Sequence, residues 1–500
     1  MKKTVIFSLL VSLFGFHFSV CNAQATELTN LVVFLRFADD DEINHSFDEI
    51  DEMFNSREPG YLSVYNFYDA LTYGKIHYNT VYTNNIQNGM IVSYVDIMPR
   101  AYFQPYSPSN PIGYQPEEQP FMGVSMREAQ LLGRVARYVD SLHLVDDTIV
   151  LVGDGDGDID NLSFIVKGGT GEWASILWPH MEYFPHDSLG YITTINGVRA
   201  NAFNMEFEGA TEKFSANVFR HEMGHSLDLP DLYHYINYTD VSPAYRWDMM
   251  HNATNPNHTN AFFKNKILHV ADDPIEITCD GDYTLYSVGS SSTQISYYIK
   301  SSIDSTQWFT FEYRNKEDLF EEGIPGTGLI AGRWSDTVPL DYRGSFANSF
   351  FDFYNVAHQY WIFRPNSAID TVEGLVNRAH FSAATGRTSF GPNTNPHPYL
   401  TDGTPETSFE ITNIQENGNT LTFHVHFLEP NGIDEPENTA DAIDVRVDGD
   451  RIVVEASGTR IADFKVYDVM GRGVKNHDLT SGVYIVKVGD YPAKKVVVVK

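Results

Sequence analysis

The sequence predicts an α+β domain followed by all-β domains, and two observations lead to this fold class. Up to about residue 271, apolar runs of strand length alternate with a segment of helical periodicity. Beyond that residue, short stretches rich in aromatic and β-branched residues are separated by Gly, Asn, Ser and Pro, which indicates mostly β structure. The chain has 500 residues, of which 42% are hydrophobic and 14% aromatic, so it can form several substantial cores.

Three segments predict elements of the first domain, residues 24–271. Residues 31–35 form a continuous apolar run that favours a buried strand. Residues 126–142 carry apolar side chains at helical spacing, which predicts a helix. Residues 148–152 are again apolar and β-branched, and we expect a further strand there.

Composition also indicates the later domains. Residues 272–427 predict a β-rich, sandwich-like accessory domain, with strand-like stretches at 308–313, 329–331 and 421–427. Residues 428–440 are acidic and contain two prolines, which is typical of a linker. Residues 441–500 hold strand-like stretches at 451–454, 464–469, 483–488 and 495–499, and they predict a small C-terminal β-sandwich.

Residues 1–23 have the pattern of a cleavable signal peptide. Lys2 and Lys3 form a basic start, residues 5–20 are largely apolar, and Ala23 is a small residue before the expected cleavage site. About 16 apolar residues are short for a bilayer span, so we expect an exported protein with no transmembrane segment. Cleavage would leave Cys279 as the one cysteine, and its strand-like surroundings predict a buried, apolar role.

The charge balance disfavours one class of partner. Asp and Glu number 66 against 34 for Lys and Arg, which gives a net charge of −32. Proteins that bind DNA or RNA gain much of their affinity from Lys and Arg contacts to phosphates. We therefore expect no nucleic-acid partner.

The segment that carries chemistry is HEMGH at residues 221–225. On a helix, His221 and His225 lie four positions apart and project to the same side, so their imidazoles can hold one zinc ion. Glu222 lies beside the first of these ligands, where its carboxylate can take a proton from water activated by the metal. The motif predicts a catalytic zinc site with Glu222 as the base.

Two histidines do not complete a zinc site, and Asp231 is the leading candidate for the third ligand. Residues 223–275 contain no Glu, so a nearby glutamate ligand is not available there. Asp231 stands six positions after the second histidine, and Met250 follows in a Trp-Asp-Met-Met segment that could form a methionine turn. Asp228 and His234 remain alternatives for the third ligand.

These motifs resemble the immune-inhibitor-A-like secreted metallopeptidases. The resemblance rests on HEMGHSLDLPDLY, on Trp-Asp-Met-Met, on an acidic glycine loop, and on residues 63–68, 72–75, 312–314 and 323–326, which together span roughly residues 28–428. It implies a zincin catalytic domain with zinc on His221, His225 and Asp231, Glu222 as the base and Met250 beneath the metal. The family usually has Gly where this chain has Asp228, a position where Asp can adopt a positive φ at modest cost.

The acidic loop has four carboxylates at alternate positions, namely Asp154, Asp156, Asp158 and Asp160. Such a concentration of like charge is unfavourable unless a cation neutralises it, and Ca²⁺ accepts many oxygen ligands. The loop is not an EF-hand, because Ile159 and Ile165 stand where that motif has Gly and Glu. We expect calcium here, mainly because the resembling family often carries a similar loop.

The last 60 residues resemble the sorting domain of the type IX secretion system. The residues that carry this resemblance are 464–472, 479–488 and 494–496. It implies recognition by the type IX secretion machinery and passage across an outer membrane, with the protein released or held at the cell surface.

The sequence therefore predicts a secreted zinc-dependent endopeptidase that acts on extracellular proteins or peptides. An inactive zincin scaffold that serves as a surface adhesin or binding protein is the alternative. A metal-dependent hydrolase that acts on a non-peptide substrate is a third possibility.

Overall fold

The computed structural model describes thirteen segments of the chain. They are residues 25–83, 85–118, 124–169, 176–184, 193–209, 216–233, 241–251, 257–336, 358–428, 443–456, 459–469, 471–489 and 493–499. The predicted signal peptide lies outside these residues, as does the predicted linker apart from Leu428. The chain divides after Phe427 into two compact units.

The first unit mixes helices and strands. Its described helices are α1 Phe47–Asn55, α2 Val64–Leu71, α3 Met126–Ser141, α4 Ala216–His225 and α5 Ala261–Lys266. Reciprocal capping boxes start two of them, with Ser46 and Glu49 at α1 and Ser125 and Glu128 at α3. The helix predicted at residues 126–142 is confirmed.

A six-stranded sheet forms the centre of this part of the unit. The strands up to residue 207 are β1 Thr26–Arg36, β2 Ile76–Tyr82, β3 Ile86–Gln87, β4 Met90–Ile91, β5 Tyr94–Val95, β6 Asn161–Val166, β7 His180–Tyr183, β8 Thr194–Ile195, β9 Val198–Arg199 and β10 Ala202–Phe207. The sheet order is β2-β1-β6-β10-β7, with β5 also paired to β1. All pairs are parallel except β10 with β7, so β7 is an antiparallel edge strand.

The strand predicted at residues 31–35 lies within β1, where residues 28–35 are buried. The strand predicted at residues 148–152 is wrong. The carboxylate of Asp146 accepts hydrogen bonds from the backbone N–H and the hydroxyl of Thr148, at 2.8 and 2.7 Å, and the N–H of Ile149 donates to the carbonyl of Asp146. This side-chain turn replaces the ladder that the apolar run indicated.

The described part of the first unit also contains the two-stranded sheets β3-β4 and β8-β9 and, after residue 271, two larger sheets. The strands are β11 Ile275–Glu276, β12 Gly281–Tyr286, β13 Ser296–Lys300, β14 Gln307–Arg314, β15 Gly328–Ser335, β16 Tyr360–Ile362, β17 Phe409–Asn417 and β18 Thr420–Phe427. They form a five-stranded sheet, β11-β13-β14-β15-β16, and a three-stranded sheet, β12-β18-β17. The predicted change to β structure after residue 271 is confirmed.

One hydrophobic core joins the helical part to these later strands. It contains Phe219 of α4 and Met250 together with Phe320, Ile330 and Trp334. Residues 25–427 therefore belong to one compact unit, and residue 271 marks a change of secondary structure within it. The prediction for Cys279 is wrong, because its side chain is exposed just before β12.

The second unit, residues 428–500, contains strands only among its described residues. They are β19 Asp444–Asp448, β20 Arg451–Ala456, β21 Thr459–Ile461, β22 Lys465–Asp468, β23 Gly473–Val474, β24 Gly482–Lys487 and β25 Lys494–Val498. They form the sheets β19-β20-β21 and β23-β22-β24-β25, and the unit has its own apolar core. Within the described parts of both units, no helix is long and apolar enough to cross a bilayer.

Arg314 of β14 connects the β-rich part of the first unit to the segment before Met250. Its guanidinium is fully buried and donates to both carboxylate oxygens of Glu321, at 2.7 and 2.6 Å. It also donates to the backbone carbonyl of Trp247 at 2.7 Å. A buried bidentate pair of this kind leaves a desolvated charge behind when one partner is removed.

We expect Arg314→Met to lower the free energy of unfolding of the first unit by about 3–5 kcal/mol, because Glu321 would stay buried without its cation. Urea unfolding of the mature chain measures this. Lys300→Met is the control, since Lys300 forms an exposed ion pair with Glu276 whose loss costs about 1 kcal/mol or less. Equal losses in the two variants would contradict the role assigned to Arg314.

Candidate metal centre

The structure brings His221, His225 and Asp231 to one point. Both histidines lie on α4, four residues apart, and Asp231 follows the helix. The Oδ1 atom of Asp231 lies 3.0 Å from Nε2 of His221 and 3.3 Å from Nε2 of His225. His221 and Asp231 are buried, whereas His225 is partly buried.

These distances fit a tetrahedral zinc shell. Bonds of about 2.0–2.1 Å at tetrahedral angles place neighbouring ligand atoms roughly 3.3 Å apart. Each histidine also has its other ring nitrogen engaged, since Nδ1 of His221 lies 2.9 Å from the carbonyl of Met249 and Nδ1 of His225 lies 2.7 Å from the carbonyl of Leu229. Nδ1–H donation to a carbonyl leaves the lone pair on Nε2, which is the arrangement that zinc ligands need.

A turn after α4 returns the chain so that Asp231 faces the histidines. Asp228 has a φ of 63°, and the N–H of Leu229 donates to the carbonyl of Gly224. Asp228 thus adopts the left-handed conformation that glycine adopts most easily. This is the position at which the metallopeptidase family named above usually has Gly. The side chain of Asp228 is exposed and is not among the three grouped ligands. His234, the other alternative ligand, lies outside the described residues.

Met250 packs directly beneath the helix that carries the histidines. A Cβ placed on Gly224 would come within 3.0 Å of Sδ of Met250, so this helical glycine permits the close approach. The N–H of Leu232 donates to the carbonyl of Met250 at 2.8 Å, which ties the segment of Asp231 to the same turn. Met250 therefore contacts both elements that supply the three grouped side chains.

The turn before Met250 is held by the fully buried carboxylate of Asp248. It accepts hydrogen bonds from the N–H of Met250 at 2.9 Å and from the N–H and side-chain amide of Asn260, both at 2.8 Å. The hydroxyl of Thr259 donates to it as well, at 3.0 Å. These bonds satisfy a carboxylate that would otherwise be costly to bury.

The side chains of His221, His225 and Asp231 shift one another's pKa values. Burial lowers the pKa of His221, but the hydrogen bond to Asp231 and the charges of Glu222 and Asp231 outweigh burial and raise it to about 9. Burial raises the pKa of Asp231, yet the two histidines have the larger effect and hold it far below the usual range. A metal cation would take over the charge compensation that protons on the histidines otherwise supply.

Glu222 is buried beside His221, where its charge helps to raise the pKa of that histidine. A second buried carboxyl, that of Glu206 on β10, was missed by the sequence reasoning. Burial and, to a lesser degree, the charge of Glu222 raise the pKa of Glu206 well above its usual value, and its Oε1 has no hydrogen-bond partner among the described residues. Strand alternation could have indicated it, because Phe203 and Met205 face the opposite core.

In the acidic loop, the last two carboxylates already have partners within the protein. Oδ2 of Asp160 accepts from the N–H of Thr29 at 2.8 Å, and Oδ1 accepts from the N–H of Gly153 at 2.7 Å. Asp158 forms a bidentate pair with Arg199, with contacts of 2.6 and 2.7 Å. The cation of Arg199 thus compensates one charge that a calcium ion was expected to neutralise.

The first two carboxylates of the loop form side-chain turns. Asp154 accepts from the N–H of Asp156 at 3.0 Å, and Asp156 accepts from the N–H of Asp158 at 2.8 Å. Within the described segments, the grouped ligands that lie within 4.8 Å of one another are those of the histidine site and not those of this loop. Calcium binding by the loop stays a prediction.

Comparisons with known proteins add no relative. No protein-family model matches the chain, and no curated protein matches it either.

We expect the mature chain, dialysed against metal-free buffer, to retain one tightly bound zinc ion, and Asp231→Asn to lose it. Replacing a carboxylate ligand by a neutral amide should weaken affinity by at least the roughly 10–100-fold that loss of an outer-shell partner costs. Elemental analysis with chelator competition measures this. Asp228→Asn is the matched control, since Asn also tolerates positive φ and the side chain is exposed. Zinc loss in the Asp228 variant alone would contradict the assignment of Asp231.

Proposed function

We propose that this protein is a secreted zinc-dependent endopeptidase. The observation that carries the proposal is the convergence of His221, His225 and Asp231 at ligand distances, with Glu222 buried next to the first histidine. Two nitrogens and one oxygen make three protein ligands, the number typical of catalytic zinc sites, whereas structural zinc sites have four.

In the proposed reaction, the metal ligands, Glu222 and Tyr233 would each have a separate role. His221, His225 and Asp231 would hold a zinc ion, which would supply the Lewis acid that polarises a carbonyl and makes water more acidic. Glu222 takes a proton from the attacking water and returns it to the departing amine. The phenol ring of Tyr233 is stacked near His221, with ring centroids 6.3 Å apart, and burial raises its pKa well above the usual value. Tyr233 therefore stays a neutral donor, and its hydroxyl is hydrogen-bonded to the carboxylate of Asp231, so that it would position the third ligand.

The edge strand β7 supports a peptide as the substrate. It pairs with β10 on one side and lies at the end of the sheet order, and it contacts α4, the helix of the two histidines. An edge strand offers unpaired backbone groups to an extended peptide, and this mode of binding tolerates many side chains. His180 anchors the strand through stacking on Trp178 at 4.2 Å and through a 3.2 Å ion pair with buried Glu128.

Export is part of the proposal and rests on the sequence. The signal-peptide pattern of residues 1–23 and the resemblance of residues 441–500 to type IX sorting domains support secretion across an outer membrane. The separate core of the second unit is consistent with a domain that acts independently of the catalytic residues.

We expect purified mature protein to hydrolyse casein, and Glu222→Gln to lower kcat by about 10²–10⁴-fold, because the amide cannot accept the proton from water. The control is Asp228→Asn, which leaves the ligands and the base intact. Removal of zinc by a chelator should abolish hydrolysis, and added zinc should restore it.

Two other outcomes would replace the proposal. A zinc-loaded, folded wild type that cleaves no protein substrate but hydrolyses esters or small amides would favour the non-peptide hydrolase. A wild type that binds zinc and hydrolyses neither kind of substrate would favour the inactive scaffold that serves as an adhesin.

In a host with type IX secretion, we expect deletion of residues 441–500 to stop the protein from reaching the medium or cell surface, with accumulation in the periplasm. Immunoblots of cell fractions measure this. Casein hydrolysis by the truncated protein after lysis should equal that of the full chain, since the first unit has its own cores. Unchanged export would contradict a sorting role for this unit.

A further inference from the structure

A second histidine pair lies on the outer face of the three-stranded sheet β12-β18-β17. Along β18 the side chains alternate, with Phe423 and Val425 buried in the core and His424 and His426 on the opposite face. The two histidine side chains are 37% and 50% exposed. Residues two apart on a strand lie about 7 Å apart along it, so both rings stand over the same patch of surface.

Each of these histidines is held by a carboxylate. Asp282 of β12 is the cross-strand partner of His424, and its Oδ1 lies 2.8 Å from Nδ1 of the ring. Oδ2 of Asp280 contacts Nδ1 of His426 in the same way. The same contact is thus repeated on consecutive outward positions of one strand.

The orientation of these contacts matches that of zinc-binding histidines. A carboxylate at Nδ1 fixes the ring, makes this nitrogen the donor and increases the basicity of Nε2, the atom across the ring. In the buried site described above, Nδ1 is likewise engaged and Nε2 is the ligand atom. In the tautomer that donates from Nδ1 to the carboxylate, Nε2 of each ring carries the lone pair that a metal needs.

A further oxygen ligand is available in register. Glu410 of β17 is the cross-strand partner of His426, at a position where directly opposed side chains have Cβ atoms about 4.5–5.5 Å apart. Gly391 lies beside Glu410, and a Cβ atom on this glycine would come within 2.8 Å of Cβ of Glu410. The segment next to Glu410 therefore carries no side chain at this point. The patch thus combines two imidazoles with carboxylates, the donor set of borderline divalent cations.

We propose that His424 and His426 form a second metal site, which binds a divalent transition cation such as Zn²⁺, Cu²⁺ or Ni²⁺ through their Nε2 atoms. Asp280 and Asp282 act as positioning residues. Glu410 becomes the third ligand once its side chain turns to the ion, since among the described residues the ligand atoms already grouped within 4.8 Å of one another are those of the α4 site. Ligand atoms that share one zinc ion lie roughly 3.3 Å apart, so metal binding would rotate the two exposed rings toward each other. Because the site is exposed and joins adjacent strands, it binds more weakly than the buried triad and stabilises this sheet when occupied.

Zinc binding at equilibrium tests this proposal on the mature full-length chain. Equilibrium dialysis at several free zinc concentrations should give one more equivalent for the wild type than for the double variant His424→Ala, His426→Ala. The difference between the two proteins is what counts, so the result does not depend on how many ions the histidine triad or the acidic loop hold.

The matched control is His477→Ala. His477 is also exposed and has a carboxylate, that of Asp478, 2.9 Å from Nδ1, but the described contacts give it no second histidine. This variant should bind as much zinc as the wild type. Urea unfolding in chelator should be the same for all three proteins within about 0.5 kcal/mol, because the substitutions are at the surface.

The positioning role has its own readout. Asp282→Asn should keep the extra equivalent but weaken its affinity by about 10–100-fold, since only the partner of the ligand changes. Equal zinc uptake by the wild type and the His424, His426 double variant would overturn the site. Loss of the extra equivalent in the His477 variant as well would show adventitious binding to surface histidines.

Discussion

The fully buried carboxylate of Asp248 is the interaction on which the arrangement of the candidate metal centre depends. It holds the N–H of Met250 and the side chain and N–H of Asn260, and so determines where the turn beneath α4 lies. The carbonyl of Met249 in that turn orients His221, and the carbonyl of Met250 holds the segment that carries Asp231. Arg314 extends this support into the β-rich part of the unit through the carbonyl of Trp247.

Most of the buried carboxylates around the candidate metal centre are stabilised by a nearby cation or by hydrogen-bond donors. Arg314 faces Glu321, and the histidines of α4 face Asp231, so that each buried carboxylate named here has a cation or several donors. Glu206 is the exception, since its Oε1 has no hydrogen-bond partner within the described segments and burial keeps its pKa high, which favours a neutral acid next to Glu222.

The sequence predicted that His221, His225 and Asp231 would lie together, and the structure brings their ligand atoms to one point because histidines four apart on a helix project to the same side. Met250 lies close to the same helix, against Gly224, and the role of the three residues as zinc ligands stays a prediction. The strand predicted at residues 148–152 failed because the side chain of Asp146 forms a turn, which periodicity does not register. The pairing of His424 with Asp282 joins residues 142 positions apart, and only the strand register brings them together.

The most direct test of the central claim is a crystal structure of the mature protein with anomalous data collected on both sides of the zinc edge. The account predicts one strong zinc peak bonded to Nε2 of His221, Nε2 of His225 and a carboxylate oxygen of Asp231, at about 2.0–2.2 Å. Glu222 should lie within hydrogen-bonding reach of the remaining position. A peak bound by Asp228 or His234 in place of Asp231, or no zinc between the two histidines, would contradict the account.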